Sequence, residues 1–513
     1  MEPQIHLDRE STDAQFLESI SPVINGQLYR IPAPKLSSQE RKRRRLGFRN
    51  ENNLYKRKSS LSGESMISFF HEDSPLVVYT HDEWWGGNWD PLGYGVEYDF
   101  SRGFFDQFYD LQLRVPRAPL VNNKSENSPY CNFADGNKNC HLITSANWNQ
   151  DSFYSFCLVS CRDVMDCTWC LNCELVYECS DCRGCYNLRF GQHCMNSSDS
   201  AFLYDCVGTK NSLFCIGLRN AEYQIFNKPV TQEEFQKTYE YYFSGSYARL
   251  EEAKKLFETF FMRFFPVRKE FHISSENVTG NNIWNSTNVH DGQDIYDSQD
   301  CAYLHDGLNA KDCHDVCFFD GSELCYESTS LIGYGYRFTN FCRDSSNLFY
   351  SDSCYNCKDC FGCVGLRNKQ FCIFNKQYTQ DEYHTLMARI IQAMSQAGEW
   401  GEFFPLTHGL FAYNETLAQA YFPMEKSDAL QRGWKWRDAQ EMTSDLTAPT
   451  IPDSIQDTPS SFCDQVLVCE ESKRPYKIIS QEFKFYQKMN LPLPRLAPQQ
   501  RQRNRTERRI VKE

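Results

Sequence analysis

The stretch that decides the fold is residues 167–226, which read CTWCLNCELVYE, CSDCRGCYNLRF, GQHCMNSSDSAF, LYDCVGTKNSLF and CIGLRNAEYQIF in five blocks of twelve. Extending the division back to Cys131 gives eight blocks with matching columns. The sixth column alternates Asn and Gly from Asn172, and the last column ends in Phe from Phe190. The fourth column holds Ala134, Ala146, Leu158, Cys170, Cys182, Cys194, Cys206 and Leu218. A fixed short period of this kind is typical of solenoids.

The columns predict a mainly β fold in which each block is one coil of a β-solenoid and identical columns stack at about 4.8 Å. The fourth and tenth columns would then face inward as two ladders, and cysteine suits such a core because it is small, polarisable and readily buried. Asn and Gly tolerate a left-handed backbone, so the sixth column is predicted to form the corner of each coil.

A second solenoid is predicted downstream, because GLRNKQFCIFNKQYTQDEY at 365–383 copies GLRNAEYQIFNKPVTQEEF at 217–235 with a constant offset of 148 residues. Val289, Cys301, Cys313 and Cys325 stand twelve apart within it. The spacing from Cys325 to Cys342 is 17, which predicts an insertion near SLIGYGYRF at 330–338.

The predicted organisation has six parts: a small basic module (1–65), an aromatic-rich cap with two strands and a helix (66–130), the two solenoids with capping helices (131–275 and 276–440), a linker (441–462) and a small C-terminal module with a basic tail (463–513). A short helix is expected near Ala14–Ile20, and Ser101 is expected to cap a helix that ends at Leu113. Thr231 with Glu234, and Thr379 with Glu382, form capping boxes that begin two further helices. The apolar face after the first box is expected to cover the open end of the solenoid. Trp84, Trp85 and Trp89 are expected to pack against the first coil.

Charge is distributed unevenly along the chain. The net charge of −13 comprises −3 over residues 1–40, +8 over 41–58, −23 over 59–494 and +5 over 495–513. Basic clusters of this density bind nucleic acids by counterion release, and their alternatives are solvated surface or pairing with the acidic body of the same chain. The nucleic-acid candidates are Arg41, Lys42, Arg43, Arg44, Arg45, Arg501, Arg503 and Arg505.

The compartment is predicted from two absences in the sequence. No apolar run approaches eighteen residues, and the polar start MEPQIHLDRESTDAQ lacks the features of a secretory signal. A cytoplasmic location is therefore expected, with no membrane association. Of the 25 cysteines, 23 lie within the two repeat blocks, and thiols in a reducing compartment are expected to be free.

The strings RRLGFRNENNLYKRK, YDFSRGFFDQFYDLQL, AYNETLAQAYFP and EFKFYQKMNLPLPR, together with the cysteine repeats, resemble an uncharacterised family of cysteine-repeat proteins with zinc-ribbon-like ends, common in ultra-small bacteria. The resemblance implies terminal metal ligands, most of which are replaced here. The C-terminal copy keeps Cys469 but has Ser472, Ala497 and Gln500; the N-terminal copy has Ser37, Glu40, Ser59 and Ser62. Tetrahedral zinc needs four ligands, so both terminal modules are expected to be degenerate.

Two cysteine strings within the repeats have metal-like spacing. They are Cys170, Cys173, Cys182 and Cys185, and the unbroken Cys354, Cys357, Cys360 and Cys363. Such strings suggest zinc or an iron–sulfur cluster, but a ladder holds equivalent side chains parallel instead of converging on one ion. Core packing is therefore expected, with bound metal and disulfides as alternatives. Packing predicts that Cys182→Ser costs more stability than Cys182→Ala, since a buried hydroxyl without a partner is penalised.

The sequence contains no recognisable catalytic constellation. His290, His305 and His314 lie near Asp and Cys residues, where a Cys–His pair is a possible nucleophile arrangement. The prediction is a non-enzymatic cytosolic scaffold or binding protein with a protein partner and no required cofactor. The alternatives are a nucleic-acid or ribosome-associated factor that uses the basic ends, and a metal or redox protein that uses the cysteine ladders.

Overall fold

A computed structural model of the chain describes residues 13–264, 270–438 and 448–509, and the protein is mainly β with several helices. It divides into two compact units. The first unit joins the chain up to Pro119 with Lys269–Arg437, and the second joins Leu120–Arg268 with the chain from Asp438 onward. Each unit therefore combines one repeat block with the terminal module from the opposite end of the repeat region.

In the second unit, the described residues of the repeat block form a sheet of thirteen strands. All pairings but the last are parallel, and the Cα partners of the parallel strands lie twelve residues apart, as in Cys170 with Cys182 and Ala134 with Ala146. The strands are Asn122–Asn123, Asn132–Asp135, Thr144–Asn147, Phe156–Val159, Arg162–Met165, Thr168–Leu171, Glu174–Tyr177, Ser180–Arg183, Tyr186–Gln192, Ser198–Tyr204, Leu213–Ile216, Gln224–Ile225 and the antiparallel Lys228–Pro229.

The first unit contains a comparable sheet, with eleven strands among its described residues. These strands are also parallel until the last, and most pairs are offset by twelve residues. They are His272–Ile273, Glu276–Trp284, Thr287–Tyr296, Gln299–Ala302, His305–Lys311, His314–Glu323, Tyr326–Arg337, Arg343–Phe349, Lys358–Phe361, Gln370–Ile373 and Lys376–Gln377.

The remaining elements are short hairpins and helices. The hairpins pair Val23–Ile24 with Gln27–Leu28, Tyr55–Lys58 with Ser65–Ser68, and Leu467–Val468 with Pro475–Tyr476. Residues 13–20 are helical, near the helix expected at Ala14–Ile20. The other α-helices described are Ser38–Leu46, His81–Trp85, Phe104–Arg114, Gln232–Tyr242, Tyr247–Phe261, Gln380–Ala397, Leu417–Tyr421, Lys426–Gln431, Ser480–Lys488 and Pro498–Arg509. No helix in these ranges is long and apolar enough to cross a bilayer.

The repeat blocks have a period of three residues within the period of twelve. From Lys124 to Phe226, nearly every third residue has a φ between about +45° and +70°, for example Asn172 (52°) and Gly184 (61°). We call these the left-handed positions, and they include the predicted sixth column. The residue that follows a left-handed position is in most cases buried in the core, and we call it the inner position. Four inner positions occur per repeat, and those of residues 167–178 are Cys167, Cys170, Cys173 and Val176. The structure therefore has four inward-facing ladders, whereas the sequence predicts two.

Side-chain branching follows the same period. A β-branched residue is poorly tolerated at positive φ because its two γ substituents crowd the backbone. Within the described residues, none of those with positive φ is Val, Ile or Thr. Bulky unbranched residues such as Trp148 (60°) and Leu175 (57°) do occupy these positions. Valine instead appears at inner positions such as Val164 and Val176, where both are fully buried.

The irregular spacing near 330–338 is a shortened repeat. Ser322 pairs with Gly333, eleven residues on, whereas the preceding Phe319 pairs with Leu331 at twelve. The strand Tyr326–Arg337 continues through the change of register. The predicted insertion is therefore wrong: Cys325 and Cys342 belong to different columns, and one residue is missing between their repeats.

The helices Gln232–Tyr242 and Tyr247–Phe261 pack along a side of the first repeat block, whereas the sequence predicts that they cover its end. Phe190, Phe202, Phe214 and Phe226 occupy left-handed positions, and their rings stack with centroids 4.5, 5.2 and 4.8 Å apart. Phe257 lies 5.6 Å from Phe202. The prediction was wrong because this phenylalanine column supplies an apolar stripe along the side. Both predicted capping boxes are present, at Thr231 and Thr379.

The aromatic segment packs within the first unit, against the second repeat block. The rings of Trp84 and Trp85 lie 5.5 and 5.1 Å from Tyr355, and the Arg367 guanidinium lies 4.8 Å from the Trp89 ring. The expected contact with the first coil was therefore misassigned, since chain proximity does not decide which block supplies the aromatic and cationic partners.

Three local predictions also need correction. The helix expected from Ser101 begins at Phe104, because the Glu399 carboxylate accepts the Phe104 backbone N–H at 2.9 Å. Of the two strands expected in 66–89, Ser65–Ser68 pairs with Tyr55–Lys58, while Val78 makes one isolated bridge to Arg117. Residues 441–447 of the predicted linker lie outside the described residues, and its described part contains the buried Ile455 and short 3₁₀ helices.

Candidate functional site

The helix Ser38–Leu46, here called the N-terminal basic helix, lies on acidic side chains of the second repeat block. Arg41 pairs with Asp315 at 2.7 Å, and Arg45 reaches Asp315 and Glu327 at 3.0 Å each. Arg44 bridges Glu327 at 3.1 Å and Glu402 at 2.9 Å. Asp315 and Glu327 are twelve residues apart, so one column supplies both carboxylates. Burial alone lowers the pKa of Arg45, but Cys317 and these carboxylates outweigh it, and the net pKa is raised.

The helix Pro498–Arg509, the C-terminal basic helix, repeats this arrangement on the first repeat block. Arg501 pairs with Asp166 at 3.0 Å, and Arg505 reaches Asp166 and Glu178 at 3.0 and 3.4 Å. Each pair matches one in the first unit, with an offset of 460 residues in the helices and 149 in the repeats. The repeat offset falls to 148 after the shortened repeat near residue 332. The stacked tyrosines match as well: Arg501 lies 5.1 Å from the Tyr154 ring, and Arg41 lies 5.2 Å from Tyr303.

Most of the predicted nucleic-acid candidates are therefore held by carboxylates of their own unit. Five of the eight pair with acidic residues of a repeat block, namely Arg41, Arg44, Arg45, Arg501 and Arg505. The Lys42 ammonium donates to Gln293 at 2.7 Å, and Arg43 lies 4.0 Å from Glu40 of its own helix. Arg503 is exposed. The geometry therefore matches the alternative in which the basic ends pair with the acidic body of the same chain.

The two cysteine sets occupy inner positions in different ways. Cys170 and Cys182 stack in one column and Cys173 and Cys185 in the next, so this set spans two repeats. Cys354, Cys357, Cys360 and Cys363 are instead the four inner residues of a single repeat, and all are buried. Inner thiols donate to backbone carbonyls two residues before them and nine after, as Cys173 does to Leu171 (3.4 Å) and Cys182 (3.5 Å).

The thiols differ in acidity although all are buried. Burial raises the pKa of Cys182 well above its usual range. Hydrogen bonds from Cys354 and Cys360 lower the pKa of Cys357 to about 4. Among the described residues, neither cysteine set contains three sulfurs that all lie within 4.8 Å of one another, so a tetrahedral site would require the side chains to move.

A mixed cluster that sequence reasoning missed lies in the second repeat block. In the described part of the chain, one group of three metal-ligating side chains has ligand atoms all within 4.8 Å of one another, and it comprises Asp294, His305 and Asp306. Asp294 and Asp306 are twelve residues apart at left-handed positions, with φ of 60° and 56°. All three residues are buried, with relative exposures of 1%, 1% and 2%. The signal was the spacing D-x10-H-D, which is informative only once the twelve-residue stacking is known.

Polar and aromatic neighbours fix this cluster. The Asn282 amide donates to the Asp294 carboxylate at 2.7 Å, and His305 Nε2 lies 3.2 Å from Asp306. The Tyr421 ring meets the His305 ring edge to face at 4.7 Å. Lys42 approaches from the N-terminal basic helix, where burial lowers its pKa despite the nearby Cys317, Asp306 and Asp294.

His290 and His314, the other two candidate histidines of the repeats, lie outside this cluster. His314 stacks on Phe16 with centroids 3.7 Å apart, and burial lowers its pKa to about 3, so it is neutral near pH 7. His290 shares the His314 column, two repeats away. Cys317 pairs with His305 on the neighbouring strand, so these two residues form the Cys–His pair predicted as a possible nucleophile arrangement. Burial, however, raises the pKa of the Cys317 thiol. An activated nucleophile requires the opposite shift.

In the two terminal modules, Cys469 accepts the Ser472 backbone N–H at 3.4 Å, and Ser59 accepts the Leu61 N–H at 3.1 Å. Ser37 caps the N-terminal basic helix by accepting from Glu40.

No protein-family model matches this chain, and no curated protein matches it. One solved structure compared with it is described as a "putative acetyltransferase from Desulfovibrio desulfuricans G20"; it is 9% identical, over 51% of this chain and 69% of that chain. The TM-score is 0.12, which is too low to support any inference about fold or activity.

Proposed function

We propose that the protein is a non-enzymatic scaffold or binding protein in which each repeat block is a four-sided β-solenoid. The observation that carries this proposal is the parallel twelve-residue register, which runs from Asn122 to Ile225 in the first block. The three-residue period of left-handed positions supports four sides per coil. Repeat architectures of this kind present extended surfaces to partners.

Two observations favour a protein partner over nucleic acid. The buried arginines of both basic helices pair with carboxylates, which leaves them unable to neutralise phosphates without breaking those pairs. The first block also exposes large aromatic side chains, with Trp148 58% and Tyr186 48% exposed. Aromatic residues of this kind are enriched at protein interfaces. We place the function in the cytoplasm, where the 25 free cysteines would remain reduced.

The test is affinity capture with the full chain under reducing conditions, compared with the double variant Trp148→Ser and Tyr186→Ser. Tyr334→Ser is the matched control, because Tyr334 is 45% exposed on the other block. The proposal is supported if some proteins are captured by the wild type and by the control but not by the double variant. Nuclease treatment should not release these proteins. Equal recovery of these proteins by all three forms would contradict a role for Trp148 and Tyr186 in partner binding.

Fluorescence anisotropy with a single-stranded RNA distinguishes the nucleic-acid-binding alternative from the proposed protein-binding function. Counterion release predicts a steep loss of affinity between about 50 and 200 mM salt. Because most candidate arginines are paired internally, we expect weak RNA binding. Tight, strongly salt-dependent binding that Arg43→Ala or Arg503→Ala weakens would support the alternative.

A further inference from the structure

The cluster of Asp294, His305 and Asp306 is chemically unlike the apolar and thiol core beside it. Two carboxylates and one imidazole face a common space at a corner formed by adjacent repeats. Removing two carboxylates from water is unfavourable unless positive charge compensates it, and Lys42 supplies one such charge nearby. A site of this composition therefore needs a reason beyond packing.

The second unit supplies an internal comparison, because its repeats match those of the first unit at an offset of 149 residues. Asp315 and Glu327 correspond to Asp166 and Glu178, and both pairs bind a basic helix in the same way. At the same offset, however, the three cluster residues correspond to Ser145, Phe156 and Cys157. The position of Lys42 corresponds to Gln502.

The fold therefore does not require the cluster. The same corner of the repeat, beneath an equivalent helix, is built in the second unit without a carboxylate or an imidazole at these positions. The acidic pair that docks the basic helix is retained in both units, whereas the His and two Asp residues occur in one.

The surroundings support the ligand groups in the manner of a metal site. The Asn282 amide holds one oxygen of Asp294 at 2.7 Å, and Phe318 and Tyr421 contact the His305 ring at near-perpendicular angles. Groups that orient ligating carboxylates and imidazoles strongly affect metal affinity. Three protein ligands would leave coordination positions for water or a further group.

We propose that Asp294, His305 and Asp306 bind one divalent first-row transition metal ion through two carboxylate oxygens and one imidazole nitrogen. The imidazole favours this class over Ca²⁺ or Mg²⁺, which prefer all-oxygen sites. The carboxylates distinguish the site from the inner cysteines, which favour softer ions.

The experiment uses Mn²⁺ as the probe, because Mn²⁺ favours oxygen ligands over thiolates and so reduces interference from the 25 cysteines. The full chain is stripped with a chelator and titrated, and free Mn²⁺ is measured from its EPR signal. Asp306→Asn and His305→Gln are the test variants. Asp297→Asn is the matched control, since Asp297 is the next left-handed position and is exposed.

We expect one Mn²⁺ per wild-type chain, unchanged affinity in Asp297→Asn, and a loss of roughly 10-fold or more in both test variants. Binding that is absent, or that the test variants leave unchanged, would overturn the proposal. Electron spin echo modulation of bound Mn²⁺ in the wild-type chain gives a result even if a variant fails to fold. Coupling to a directly bound ¹⁴N is expected from His305; Mn²⁺ with no nitrogen coupling would mean carboxylate binding elsewhere and would refute the site.

Discussion

At the scale of single residues, the repeats are governed by which side chains tolerate a left-handed backbone. Left-handed positions recur every third residue, so the usual preference for Asn and Gly cannot be met at all of them. The chain meets this requirement by accepting aromatic, acidic and other unbranched residues there and placing branched ones elsewhere. Excluding β-branched residues is therefore as much a signature of this fold as the cysteine column.

This rule can be tested with two equivalent substitutions. Leu175 is left-handed (φ 57°) and half-buried, whereas Leu188 is at a fully buried inner position. Leu175→Val should destabilise by roughly 1–2 kcal/mol more than Leu188→Val, because backbone strain is added to the lost methylene. Chemical denaturation measures both. Packing alone predicts the reverse order, so a larger cost at Leu188 would refute the rule.

The inner cysteines lead to a second prediction at this scale, which reverses the expectation from sequence. The Cys182 thiol donates to the Ser180 carbonyl at 3.3 Å. The hydroxyls of Ser152 and Ser200 make the equivalent bond at other inner positions, at 3.0 and 2.7 Å. A serine at position 182 would therefore have an acceptor.

We expect Cys182→Ser to cost less than Cys182→Ala, since one retained hydrogen bond contributes about 1 kcal/mol and the alanine leaves a partial cavity. Denaturation midpoints under reducing conditions provide the comparison. If serine proves more damaging than alanine, the carbonyl partner contributes little and the original expectation stands.

At the scale of elements, each basic helix is joined to its repeat block by buried ion pairs. Removing one partner from a buried pair typically costs 3–5 kcal/mol, because the other charge remains buried without compensation. The two helices use the same spacing, with arginines at i and i+4 on carboxylates twelve residues apart. The arrangement therefore fixes both the position and the register of the helix on the block.

Arg505→Met should accordingly destabilise the second unit by about 3–5 kcal/mol. Arg503→Met, two residues earlier in the same helix and exposed, should change stability by less than about 0.5 kcal/mol. Thermal or denaturant unfolding of the full chain compares them. Equal effects of the two variants would mean that the ion pairs seen for Arg505 contribute no net stability.

The sequence contains the repeat length, the duplication, both capping boxes and the inner position of most cysteines, because these depend on local periodicity. It does not reveal which repeat block each terminal module contacts. Asp315 and Glu327 are ordinary acidic residues until the N-terminal basic helix is placed on them, 270 and 282 residues away. The Asp294 and His305 cluster was missed for the same reason, since its members meet only through stacking.

At the scale of the whole molecule, each unit combines two segments that are separated in the chain by a segment of the other unit, which we call a crossed assignment. The N-terminal module belongs to the unit of the second repeat block, and the C-terminal module belongs to the unit of the first. The effect of a truncation should therefore appear far from the cut in sequence.

Hydrogen exchange on two truncated chains tests this organisation. A chain ending at Arg437 should lose amide protection within residues 120–264, while 270–437 stay protected. A chain lacking residues 1–58 should show the opposite pattern, because Arg41 and Arg45 are removed from Asp315 and Glu327. Loss of protection confined to the neighbouring block in either chain would contradict the crossed assignment.

The crossed assignment also determines when, during synthesis of the chain, the buried ion pairs can form. At about 5–20 residues per second, Glu327 follows Arg45 by roughly 15–55 s. During that interval the nascent N-terminal basic helix carries cations whose final carboxylate partners have not yet been made. We expect arrested nascent chains to keep this segment sensitive to protease until Glu327 has emerged, and early protection would disprove it. Any affinity of this segment for polyanions would thus be a transient property of the growing chain, which ends when the acidic column arrives.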